Sequence, residues 1–61
     1  MLTPGTIIYL RRSIPEMNLY KGDTGVVVGR KRRKGYKSYT VKLFLKPDQL
    51  TIIPAGMVRR A

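Results

Sequence analysis

No window of ten residues in this chain sustains a helical apolar period without meeting glycine or proline. "TPG" opens the sequence, "SIPEMNLYKGD" separates the first two apolar runs, "KG" interrupts a basic tract, "KPDQ" follows the third run and "PAG" the fourth. The pieces left between are four to nine residues long and rich in Val, Ile, Thr and Tyr. β-branched and aromatic side chains pack well on a pleated surface and poorly against a preceding helical turn, so strands are the expectation.

Alternation assigns faces. Residues 6–12 form a strand with Ile8 and Leu10 on one face and Ile7, Tyr9 and Arg11 on the other. Residues 24–31 form a second, with Val26 and Val28 expected inward. Residues 37–45 form a third, in which Tyr39, Val41, Leu43 and Leu45 point inward and Thr40, Lys42 and Phe44 outward. Residues 47–50, "PDQL", read as one 3₁₀ turn and 51–53 as a short last strand. The end, "AGMVRR", is either a fifth strand or a tail.

Opposed residues in an antiparallel pair share a face. Pairing Val28 with Tyr39 and Val26 with Val41 leaves residues 32–35 as a four-residue loop, with Gly35 taking positive φ. The alternative, a two-residue turn at Arg33-Lys34, needs φ > 0 at two residues ill suited to it. Either way Arg30, Lys31, Arg32, Arg33 and Lys34 sit at the end of a β-hairpin. Lys31, Tyr36, Ser38, Thr40 and Lys42 share its outer face.

Sixty-one residues make one domain, 1–61, with 55–61 a possible tail. Four or five short antiparallel strands with a 3₁₀ turn before the last suggest an all-β, SH3-like barrel, whose closure protects strand edges. Without cysteine, neither a disulfide nor a thiolate metal site braces it.

Charge narrows the function. Thirteen Lys and Arg against three acids give a formal +10, and the pI is near 10.8. A surface that merely solvates the fold interleaves both signs. Here the neutralising charge is expected from a partner: nucleic acid first, DNA or RNA, and an acidic protein as the alternative. The candidate contacts are Arg11, Arg12, Arg30, Lys31, Arg32, Arg33, Lys34, Tyr36, Lys37 and Lys42. Arg and Lys would neutralise phosphates, and Arg can hold one bidentately. A two-stranded ribbon fits the DNA major groove, and Arg at a tip can enter a narrow minor groove. Tyr36, between Gly35 and Lys37, is expected exposed and able to stack on an unpaired base. Tyr39 is expected in the core. The plainer reading of the basic run is a mobile solvated loop, but the excess extends to Arg59 and Arg60 as well.

Catalysis is not expected. There is no His or Cys, and Glu16, Asp23 and Asp48 all fall in loops where paired carboxylates would not converge. Asp23 and Asp48 read as turn caps. No cofactor motif or metal-ligand set is present. No apolar run approaches the roughly 20 residues that cross a bilayer, and no secretory leader is recognisable, so a soluble cytoplasmic protein is expected.

The segments "PGTIIYL", "YKGDTGVVVGR" and "YTVKLF" resemble KOW-type and related SH3-like barrels, in which a G-x-x-G-x-V element starts strand two. Gly22, Gly25 and Val27 stand at those positions, while Tyr20 departs from the glycine of a fuller element. That resemblance implies binding to RNA, ribosomes or polymerase. "YTVKLFLKPDQLTIIP" is similar to small SH3-like subunits of electron-transfer complexes, such as the photosystem I E subunit and the variable chain of ferredoxin-thioredoxin reductase. This second resemblance implies a basic face offered to an acidic protein.

Overall fold

A computed structural model describes residues 2–61, and within it every regular element apart from two 3₁₀ turns is a strand. β1 is Ile7–Leu10, β2 Thr24–Arg33, β3 Tyr36–Leu43, β4 Leu50–Pro54 and β5 Val58–Arg60. The 3₁₀ turns are Pro15–Met17, between β1 and β2, and Ala55–Met57, between β4 and β5. The five strands form one antiparallel sheet in the order β4-β3-β2-β1-β5, an all-β arrangement compatible with a small SH3-like barrel. The expected 3₁₀ turn before the last strand is there, but at 55–57. Residues 47–50 make a turn closed by Gln49 N–H donating to Lys46 O, and then enter β4. The end of the chain is a strand rather than a tail, with Val58 opposite Leu10 and Arg60 opposite Ile8.

One core lies on one face of the sheet. Ile8, Leu10, Val27, Val41, Leu43 and Ile53 are buried, with Tyr39, Val58 and Leu19 completing the cluster. Ile8 and Leu10, and Tyr39, Val41 and Leu43, alternate as the sequence implies. Leu45 does not continue the series: β3 ends at Leu43, Leu45 enters a turn and is 86% exposed. Leu19 was hidden from a pattern search by its place in an irregular loop. Ile14 and Leu19 exchange backbone hydrogen bonds at 2.7 and 3.1 Å around the first 3₁₀ turn, where Asn18 adopts φ 56°, and this fold-back delivers Leu19 to the core.

The expected phase of β2 is corrected. Val27 is fully buried and Val28 is 42% exposed, so the inward residue is Val27, not Val26 or Val28. Val27 pairs with Val41 and Gly25 with Leu43. At the far end Arg33 pairs with Tyr36, leaving Lys34 and Gly35 as the turn, with φ 48° and 83°. Two positive φ values are what a type I′ turn requires, and its twist matches that of the flanking strands. The turn lies one residue beyond the Arg33-Lys34 alternative and replaces the expected four-residue loop. The core pairing and the turn pairing are out of step by one residue. Val28 absorbs the difference as a β-bulge between Val27 and Gly29.

Lys34 holds a conformation that costs most L-residues about 1–2 kcal/mol, and asparagine tolerates it better. Lys34→Asn should therefore stabilise the protein by about 0.5–1 kcal/mol. A thermal melt raised by a few degrees checks this, and an unchanged or lowered midpoint would contradict the turn assignment.

Candidate nucleic-acid interface

The bulge decides where the cations point. Opposed residues share a face, so Arg30 lies with Tyr39 and Arg32 with Lys37, on the extension of the core face. Lys31 lies with Ser38 and Arg33 with Tyr36, on the other face. Arg30, Lys31, Arg32, Lys37, Ser38 and Tyr39 line a shallow groove along the ribbon. Tyr36 is 79% exposed beside the turn, as expected, while Tyr39 is 8% exposed, its hydroxyl accepting a 3.2 Å hydrogen bond from Leu2 N–H.

The ribbon stands clear of the sheet. The last rung between β3 and β4 is Ser38 opposite Pro54, and the last between β1 and β2 is Ile7 opposite Val26. Beyond Ser38 come two rungs and the turn, about 10 Å at 3.4 Å per residue.

The topology also gathers the acids. β2 begins and β3 ends at the pole opposite the turn. Asp23 immediately precedes β2, Glu16 lies in the β1–β2 connection and Asp48 in the β3–β4 connection. All three acidic side chains are thus at the far pole. Asp23 is engaged there as a turn cap: its Oδ2 accepts from Tyr20 N–H at 3.0 Å, and its own N–H donates to Tyr20 O. Among the described residues, no side-chain capping contact by Asp48 accompanies the turn at 47–50.

The structure brings together Arg30, Lys31, Arg32, Arg33, Lys34, Tyr36 and Lys37. It does not bring Arg11, Arg12 or Lys42 to them. Arg11 and Arg12 follow β1 at the far pole, where the Arg11 Nη1–H donates to Gly56 O at 3.2 Å and Arg11 lines a second shallow hollow with Lys21 and Arg59. Lys42 sits mid-sheet on the outer face, in a row with Ile7, Val26 and Leu50. Strand order separates them: Arg11 ends a strand that runs away from the hairpin turn, which alternation alone does not reveal.

Among the described residues no three His, Cys, Asp or Glu side chains are grouped as a metal ion would require, and no helix is long and apolar enough to cross a membrane. Comparison with known protein families, curated proteins and solved structures finds no match to this chain.

Proposed function

We propose that this is a non-catalytic, cytoplasmic nucleic-acid-binding protein of low sequence specificity, which contacts phosphates through the basic hairpin. The observation that carries this reading is the placement of charge: six cations on the hairpin, four of them on its projecting end, with every acidic side chain at the opposite pole. A polyanion docking there meets no like-charge repulsion, and the released counterions supply the driving force. With six phosphate contacts the log–log salt slope for duplex DNA would be about −5. The Gly22, Gly25 and Val27 element adds a KOW-like resemblance in the same direction.

Titration of labelled duplex and single-stranded oligonucleotides at two salt concentrations tests the proposal. Binding at low salt that weakens steeply as salt rises is expected; no binding at low salt refutes it. Replacing Arg32, Arg33 and Lys34 together by serine should lower the slope by about 3 while leaving the thermal midpoint within a few degrees, because all three are exposed.

A second reading rests on the outer face of the sheet. Ile7, Tyr9, Phe44, Leu50 and Ile52 are all exposed there around Lys42, an unusual apolar area for so small a chain. A second copy would set like charge against like, whereas an acidic protein with an apolar contact patch would complement Lys42. An accessory subunit docking such a partner is the alternative. It predicts capture of one stoichiometric acidic protein that survives nuclease and is lost in Lys42→Glu.

A further inference from the structure

We infer that the hairpin enters the major groove of B-form duplex DNA end-on, with its two faces turned to the two phosphate walls. This rests on the nucleic-acid reading above and specifies its substrate. Cations occupy both faces: Arg30, Arg32 and Lys37 on the core side, Lys31 and Arg33 on the other. A ribbon built to lie flat on a single strand needs charge and stacking rings on one face. Here the exposed ring, Tyr36, is beside the tip and the next, Tyr39, is closed into the core.

Dimensions agree with a groove. The free ribbon projects about 10 Å. The major groove of B-DNA is about 8.5 Å deep and 12 Å wide and admits a two-stranded ribbon. A sheet with side chains on both faces is roughly 10 Å thick, judged from the spacing of stacked sheets. Inserted tip-first, it places Lys34 and Tyr36 near the base edges and one pair of cations against each backbone. The corresponding groove of A-form RNA is deep but too narrow for this entry. One cation and one tyrosine at the tip offer little direct base reading, which keeps sequence specificity low.

Unbulged pairing in the core register would set Arg30 opposite Ser38 and Arg32 opposite Tyr36 on the outer face, with Lys31, Arg33 and Lys37 on the core side. The Val28 bulge exchanges these sets, putting Arg30 and Arg32 with Lys37 on the core side and Lys31 with Arg33 on the other. Cations line both faces in either register.

The test compares a 20-base-pair DNA duplex, the same sequence as RNA duplex, and one DNA strand, against wild type, Arg32→Ser/Lys37→Ser and Lys31→Ser/Arg33→Ser. Wild type should prefer duplex DNA at least tenfold. Each double variant should lower the duplex-DNA salt slope by about 2, since each removes two phosphate contacts. Equal binding to all three ligands, or loss confined to one variant, would overturn the groove geometry while leaving nucleic-acid binding intact. Absence of binding to any ligand would refute both. Chemical methylation of the saturated wild-type complex needs no variant. Guanine N7, in the major groove, should be protected and adenine N3, in the minor groove, should not; the reverse pattern overturns the inference.

Discussion

Replacing Gly25 by alanine should destabilise the protein by about 2–3 kcal/mol and lower its thermal midpoint by on the order of 10–20 °C. A Cβ at this position would lie 2.7 Å from Lys42 O, 3.0 Å from the Leu43 Cα and 3.0 Å from Val41 Cγ1. Two of those three atoms are backbone, so no rotamer change relieves the contact. β2 passes β3 here at the core end of the sheet, opposite Leu43, and retreat of either strand would open the packing around Val27 and Val41. A domain of this length has a total stability of only roughly 3–9 kcal/mol, so the loss is a large share. Chemical denaturation read by circular dichroism measures it directly. Gly22→Ala is a useful contrast: its Cβ meets nothing within 4 Å, and the cost comes from φ 94° alone. If Gly25→Ala were tolerated as well as a surface change, the close crossing of β2 and β3 would be wrong.

Val27→Ala should cost about 2–3 kcal/mol, while Val28→Ala should stay within about 1 kcal/mol. Val27 is wholly buried among Val41, Leu43 and the rest of the cluster, so truncation removes packed methyl groups and leaves a cavity. Val28 is the bulged residue and is 42% exposed, so it loses little by truncation. The pair discriminates between two registers of the same hairpin. Pairing without the bulge, with Val28 opposite Tyr39, reverses the order of the two effects. Alternation from an inward Val28 would keep Arg30 and Arg32 on the core face, so the two valines report on the phase of β2 alone.

The errors of inference from sequence share a cause. Tyr39, Val41 and Leu43 lie in an uninterrupted strand, and simple alternation places them correctly. β2 carries three valines in a row, at 26, 27 and 28, so either phase buries apolar side chains and composition does not choose between them. The choice was made at the two ends of the hairpin: Lys34-Gly35 closes a tight turn, Gly25 alone fits opposite Leu43, and the odd residue between is extruded. Leu19 escaped for a different reason. Its burial follows from a loop folding back on Ile14, which leaves no period in the sequence.

The candidate site divides in the same way. That a cationic segment would end in an exposed hairpin was legible, because glycine follows the basic run and strands flank it. That Arg11 and Arg12 belong to the other pole was not, since their distance from the hairpin depends on the direction of β1 beside β2. Nor does any local pattern say that Glu16, Asp23 and Asp48 all fall at that pole. Periodicity and turn residues, which act over a few neighbours, determined that this chain is built of short strands and where most of them lie. The phase of β2 and the gathering of the acids at the pole away from the hairpin were decided only by long-range pairing. The physical reason is that a strand's own residues set its alternation, while its partner and its turn set which half of that alternation faces inward.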